Sequence, residues 1–232
     1  MNGLMPPNKL YYKSNFSVLF FFGLIILLPF IGIFSKVNYD LNLFFDFFQN
    51  SYTHRLIYFS VYQAFISAIL SCFLAIPFAL ALNRHKDLKI IKFIISLCGF
   101  CFVIPTILIV YAVIKLFGNN GFYNSYFNLY EYLSIETIFG IKAILIAHIL
   151  LNTPFATRLF FQSLNSIPAK YYEISASLNI KFLGNLVRLE LPYIKQNFFS
   201  IFSIIFSLCF LSFAIVMALG GGPMYSTIEV AI

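Results

Sequence analysis

Ser166-Ile-Pro168-Ala-Lys-Tyr-Tyr172-Glu173-Ile-Ser-Ala176-Ser-Leu-Asn179-Ile-Lys-Phe-Leu-Gly-Asn-Leu-Val-Arg188-Leu-Glu190-Leu191-Pro192 is the long stretch of this chain that reads as helical, amphipathic and charged at once. Pro168 suits a first helical turn, where a missing N–H costs little. Ala169, Tyr172 and Ala176 then recur at helical spacing, with Glu173 and Ser177 on another face. Asn179 is expected to stop the helix in the left-handed conformation, where Asn commonly replaces Gly. A second short helix follows, with Leu183, Leu186 and Leu189 on one side. Leu191-Pro192 should end it, because a residue before proline is pushed out of helical geometry.

On either side of this stretch the chain is greasy. Of its 232 residues 61% are hydrophobic and 10% charged, and the mean hydropathy is +0.89. Soluble domains carry about a quarter charged residues, so the composition indicates a membrane protein. The apolar residues fall in unbroken blocks of about 20, enough to cross roughly 30 Å of hydrocarbon as helix. Such blocks exclude a membrane β-barrel, whose strands alternate, and leave the all-α class.

The expected order is a cytoplasmic N-terminus at 1–15 and a transmembrane domain over 16–232. Five spans fall near 16–35, 56–82, 91–117, 138–162 and 197–219, with the start of a sixth at Thr227-Ile-Glu-Val-Ala-Ile232. The first run follows Lys9 and Lys13 as a secretory signal would, but it lacks a small-residue cleavage site and reads as a retained helix. Pro29, Pro77, Pro105 and Pro154 predict kinks or breaks, with Ile104-Pro105 marking an interrupted helix start. Four of the 15 Lys and Arg residues (Lys36, Arg55, Lys115, Lys142) fall on one set of alternate segments and eleven on the other. That asymmetry places the N-terminus and the 163–196 loop inside. The net charge of +7 is therefore a topology signal, and no aromatic-and-basic pattern points to nucleic acid. A Phe-rich patch at Phe44, Phe45, Phe47 and Phe48 should lie along the outer interface. The outer turn of 118–137 opens on Gly118-Asn-Asn-Gly121. The abrupt end after Ile232 suggests a piece of a longer, two-half chain.

Chemistry-bearing constellations are absent from the sequence. Cys98-x-x-Cys101 has redox or metal spacing, yet without polar neighbours it reads as two small hydrophobes, like Cys72 and Cys209. His54, His85 and His148 have no partner at ligand spacing, so no metal site is expected. No P-loop, nucleophile elbow or dinucleotide fingerprint occurs, so no catalytic residue is assigned, and any ATP-driven work belongs to another chain. His148, Asn152 and Thr153, within the fourth span, are either lining groups of a translocation path or helix–helix hydrogen-bonding groups. Ser212 and Phe213 in the fifth span are placed on the same path. Gly220, Gly221 and Gly222 form either a gate hinge or a turn.

The spacing from Glu173 through Asn179 to Leu189-Glu190-Leu191-Pro192 resembles the cytoplasmic EAA loop of permease subunits from binding-protein-dependent ABC importers. That pattern is Glu-Ala-Ala, three residues, Gly, nine residues, an aliphatic, any residue, Leu-Pro. Ile174-Ser175 stands in place of Ala-Ala, and Asn179 in place of Gly. Val61-Tyr-Gln-Ala64, Ile76-Pro-Phe-Ala79, Phe102-Val-Ile-Pro105 and Ser212-Phe-Ala-Ile-Val216-Met-Ala-Leu-Gly-Gly-Gly-Pro223 extend the likeness over nearly the whole chain. Within the family it looks closest to the N-terminal half of thiamine-transporter permeases, with iron(III) importer permeases as near relatives.

The resemblance implies a type I importer permease fold in a bacterial inner membrane. It also implies three protein partners: a cytoplasmic ABC ATPase dimer carrying ATP and Mg, a periplasmic solute-binding protein and a second permease half. Glu173, Ser175, Ala176, Ser177, Leu178, Asn179, Leu191 and Pro192 would form the ATPase-coupling site, with Glu173 pairing a basic residue of the ATPase. Otherwise Glu173 is a solvated charge on an ordinary loop. The chain itself would bind lipid, hold no cofactor and be no enzyme. An iron(III) or other small-solute permease is the nearest alternative. A secondary transporter, or a membrane enzyme acting on lipid, is the alternative of another class.

Overall fold

The computed structural model describes residues 9–35, 46, 48–127 and 139–231. Residues 1–8, Phe44, Phe45, Phe47, the 128–138 part of the outer turn and Ile232 lie outside the described residues, and so do the expectations placed on them. Among the described residues every regular element is helical. The chain divides into two units, Met1–Asn50 and Ser51–Ile232. The first holds α1 (Lys9–Phe34), whose sequence runs on through Pro29.

The second unit is organised on α2 (Ser51–Arg84), 34 residues long. Helices long and apolar enough to cross a membrane are Ser51–Arg84, Thr106–Tyr126, Ile141–Asn165 and Phe182–Phe210 among the described residues, with Val18–Phe34 a shorter apolar one. The inward face of α2 is small: Ser60, Ala64, Ala68 and Cys72 recur every four residues, flanked by Ser67, Ser71, Ala75 and Ala79, all fully buried. Its outward face is large, with Phe73 72% exposed and Phe65 and Phe78 beside it. This inverts the soluble pattern. In lipid there is no gain from hiding leucine, so close backbone approach along a small-residue stripe holds helices together. The stripe packs chiefly against α6 (Ile141–Asn165) and α9 (Leu191–Phe210). Phe160, Leu164, Ile201 and Ile205 fill the space between them.

The third expected span, 91–117, is two helices: α3 (Lys89–Phe100) and α4 (Thr106–Phe117). At 12 residues, α3 falls short of the roughly 20 needed to cross alone, whereas α4 opens the crossing-length segment Thr106–Tyr126. The break falls where Ile104-Pro105 predicts it, since Pro105 (ψ 128°) cannot continue the preceding helix. Pro77 and Pro154 cause no such break, and α2 and α6 run on past them. A short α5 (Phe122–Phe127) follows α4.

After α6 come α7 (Ala169–Ser177) and α8 (Phe182–Asn185). Here one expectation is corrected. Leu191-Pro192 does not end a helix. A π turn, Leu186–Glu190, joins α8 to α9, and Pro192 occupies the first turn of α9. Leu191 is helical (φ −60°, ψ −41°), and its N–H reaches back five residues to the Leu186 carbonyl. The widened turn and the donor-poor first turn make room for a proline that an ideal helix would reject. Of the positions at helical spacing, Ala169 and Ala176 are exposed and Tyr172 is half-buried, and the buried position of α7 is Ser175.

The fifth expected span, 197–219, is likewise interrupted. Helix α9 stops at Phe210, Ser212 takes φ −89° and ψ 69°, and α10 (Phe213–Leu219) restarts. Gly221 and Gly222 then adopt φ 71° and 142°, a region that side chains rarely enter. This turn is tied to the start of α6 by the Gly140 N–H, which donates to the Leu219 carbonyl at 2.8 Å. A terminal α11 (Ile228–Ala231) docks on α2, with the Ile228 N–H donating to Ser60 Oγ at 3.0 Å.

Candidate functional site

Two regions of the second unit gather polar groups. The first lies at the Arg84 end of α2, where the 166–192 stretch folds back. Its α7 ends in a Schellman motif. Asn179 sits at φ 49°, the Ile180 N–H donates to the Ser175 carbonyl at 3.0 Å, and the Asn179 N–H donates to the Ala176 carbonyl at 3.0 Å. Asn takes this left-handed position at little cost, as the sequence predicts. Ser175, 3% exposed, donates its hydroxyl to Asn185 Oδ1 and so ties α7 to α8. A hydroxyl where the family pattern has alanine thus supplies a cross-link between the two short helices.

The outward side of this helix pair is apolar. Tyr171, Ile174 and Leu178 are exposed at helical spacing, with Phe182, Leu183 and Val187 beyond them. Glu173, Ala176 and Ser177 are exposed near them, and Asn179 caps the end. The Ser177 hydroxyl is turned back onto the Ile174 carbonyl at 2.8 Å. Glu173 has no ion-pair partner among the described residues. An exposed apolar patch thus stands beside a carboxylate with no ion-pair partner among the described residues.

Behind this face is a cavity of ≈ 500 Å³, lined by Asn83, Arg84, Tyr172, Glu173, Asn185 and Glu190, among others. Arg84 Nη2 lies 3.5 Å from Glu190 Oε2, and its guanidinium stacks 3.7 Å over the Phe182 ring. Glu190 is 3% exposed. Asn83 Nδ2 reaches Tyr172 Oη at 3.5 Å, and Lys86 reaches Asn165 Oδ1 at 3.4 Å. Burial and then the Glu190 carboxylate push the Tyr172 phenol above its usual pKa. Nothing in the sequence pattern announces the Arg84–Glu190 pair. Its only local signal is a carboxylate between two leucines, and its partner is 106 positions away.

The second region is mid-helix and built from distant residues. His148, fully buried, places Nδ1 2.9 Å from Ser67 Oγ and Nε2 2.6 Å from Ser212 Oγ. Ser212 Oγ also lies 2.9 Å from the Cys209 carbonyl; with its hydrogen donated there, a neutral ring carries its proton on Nε2 and accepts from Ser67 on Nδ1. Asn152 Nδ2 donates to Cys209 Sγ at 3.2 Å, and Gln63 Nε2 to the Cys209 carbonyl at 3.1 Å. His148, Asn152 and Ser212 share a cavity of ≈ 220 Å³ with Cys101 and Thr106 from the α3–α4 break. Two interrupted helices therefore meet at one pocket, where His148, Asn152 and Ser212 stand among apolar side chains, and the Phe102 and Phe155 rings stack at 4.9 Å.

Of the residues the sequence points to, Phe213 stands apart: it is 47% exposed and outside this lining. The bend at Ser212 turns it outward. Thr153, also outside the lining, keeps a buried hydroxyl with no partner among the described residues. Gly220, Gly221 and Gly222 lie outside the cavity lining and form the packed turn at the Gly140 end. A Cβ on Gly220 would stand 2.6 Å from the Val216 carbonyl oxygen, and one on Gly221 3.0 Å from Phe139 Cβ. Cys98 and Cys101 join no ligand set: among the described residues no three His, Cys, Asp or Glu side chains cluster.

No family model matches the chain. The thiamine transport system permease protein ThiP of Haemophilus influenzae is 38% identical over 185 residues, 80% of this chain and 34% of that protein. ThiP of Escherichia coli is 35% identical over 187 residues, 79% of this chain and 34% of its own length. The chain thus spans about a third of the curated relatives it matches. Among solved structures, a bacterial ABC transporter involved in import of the acidic polysaccharide alginate superposes with a TM-score of 0.75 at 16% identity, covering 96% of this chain and 82% of that one. The same type of transporter in complex with an alginate pentasaccharide-bound periplasmic protein gives 0.73, with 96% and 81% covered. By sequence the chain is similar to thiamine transport system permease proteins over about a third of their length, and its fold is that of a chain of a bacterial ABC transporter.

Proposed function

We propose that this chain is part of the transmembrane permease of an ATP-driven, binding-protein-dependent importer that carries thiamine from periplasm to cytoplasm. The observation that carries the reading is the 38% identity to a thiamine transport permease over 80% of the chain. The geometry of the 166–192 stretch supports it, because an exposed apolar face with the unpaired Glu173 suits a partner that brings a basic residue. In this reading α7 docks on a cytoplasmic ATPase dimer, which binds ATP and Mg. Closure of that dimer pushes α7, and the push tilts α2, α6 and α9. A periplasmic binding protein delivers solute on the Gly140 side, a second permease half completes the path, and lipid of a bacterial inner membrane surrounds both. The N-terminus lies in the cytoplasm.

The neutral His148 cluster gives a path in this half that offers hydrogen bonds without fixed charge. A cationic solute can pass such groups without being trapped, since no carboxylate lines the cavity. The test has two arms. The periplasmic protein that serves this permease should bind thiamine, and failure to do so removes the substrate. The full chain, purified from its own membrane, should bring an ATPase that is lost on Glu173→Arg. Purification with no ATPase would point instead to gradient-driven transport.

A further inference from the structure

Three side chains clasp the end of α2, and all come from beyond α6. Tyr172 of α7 meets Asn83, Phe182 of α8 lies under the Arg84 guanidinium, and Glu190 of the π turn faces Arg84. Asn185 lines the same ≈ 500 Å³ cavity. Arg84–Glu190 is the only ion pair among the described residues. Its carboxylate is almost wholly buried, while the arginine keeps 32% of its side chain exposed. A buried carboxylate with one cationic partner is held to that partner strongly, because losing it leaves an uncompensated charge in a low dielectric. Glu190 also sits in the π turn of a continuous 29-residue helix, Phe182–Phe210. Any displacement of α8 therefore reaches Glu190 before it reaches the membrane-embedded part of α9. The cavity beside the pair leaves room for such a displacement without collision.

We infer that Arg84 and Glu190 are a positioning pair that passes movement of the α7–α8 segment into α2, so that solute translocation keeps step with ATP hydrolysis. Neither residue touches solute or ATP. Their contribution is to make the end of the central helix follow the coupling segment instead of slipping past it. The proposal rests on the importer reading above and deepens it.

The experiment compares the full chain with Arg84→Gln, Glu190→Gln and the charge exchange Arg84→Glu with Glu190→Arg, each in its native complex. In the single variants the ATPase should still co-purify and hydrolyse ATP, while thiamine moved per ATP falls about tenfold, and the exchange should recover most of that loss. Phe182→Leu, which removes the ring and leaves both charges, should give a smaller loss of the same kind. A second arm needs no ATPase: backbone hydrogen exchange over 182–191 should quicken by about tenfold in the single variants and return in the exchange. Loss of ATPase binding in the single variants would make the pair a docking element and overturn the proposal. So would unaltered stoichiometry, unaltered exchange rates, or an exchange variant as impaired as the singles. If the unaltered chain brings no ATPase, the importer reading itself fails and the transmission role with it. The exchange arm then decides the clasp alone.

Discussion

The Arg84 end of α2 and the mid-helix pocket both gather polar groups, yet they are assembled in opposite ways. At the Arg84 end nearly everything except the tip of α2 comes from one stretch of chain, Ser166 to Pro192, and its exposed face is shaped by local rules: a proline start, an Asn stop and a helical stripe. The pocket around His148 takes Ser67 from α2, Asn152 from α6 and Cys209 and Ser212 from the end of α9. The first is open, charged and ready for a partner. The second holds no charged side chain, and most of its hydrogen bonds join different helices. A surface shaped by caps and helical periodicity can be written in consecutive residues, whereas a pocket inside lipid must bring its hydrogen-bond partners from several helices. An unsatisfied polar group there costs several kcal/mol.

That contrast can be broken at either end. The largest effect is expected from Glu173→Arg, which puts a like charge where a basic partner is expected. Thiamine uptake should fall by more than about tenfold while the thermal midpoint of the chain stays unchanged. A drop in melting temperature with uptake intact would reverse the assignment of that face.

His148→Ala should do the opposite. It leaves Ser67 without its acceptor and deprives the Ser212 hydroxyl oxygen of its donor, at about 1–3 kcal/mol for such buried groups. The melting temperature in detergent should fall by roughly 2–10 °C, with ATPase co-purification retained.

A finer probe is Asn179. Replacement by Val forces a β-branched residue to φ 49° and should cost about 1–2 kcal/mol, whereas Asn179→Gly should be close to neutral. Chemical denaturation of the two variants in parallel would show whether the left-handed stop is needed. The smallest effect belongs to Ser175→Ala, which removes the hydroxyl donated to Asn185 and should cost about 1 kcal/mol. Limited proteolysis between 178 and 182 should then quicken slightly.

The legibility of the molecule follows the same division. Asn179 was readable because its left-handed conformation depends on its own backbone. The break at Ile104-Pro105 was readable because proline acts on its neighbours. Pro192 misled for the reciprocal reason: its local effect was real, but the π turn before it gave the chain another way to stay helical. Ser175 reads as an odd substitute for alanine until Asn185 is seen opposite it. The interruption at Leu211-Ser212 has no proline or glycine to announce it. It becomes visible only where the Ser212 hydroxyl bonds His148 and the Cys209 carbonyl.

Sequence alone determined that this chain is a bundle of membrane helices with a charged, amphipathic stretch near Glu173, because hydropathy and helix caps act over one or a few turns. The fold decided which polar residues meet. Ser67 and His148 lie 81 positions apart, and Arg84 and Glu190 106 apart. No periodicity links such pairs. They come together only when a stripe of small residues on α2 lets α6 and α9 approach it closely.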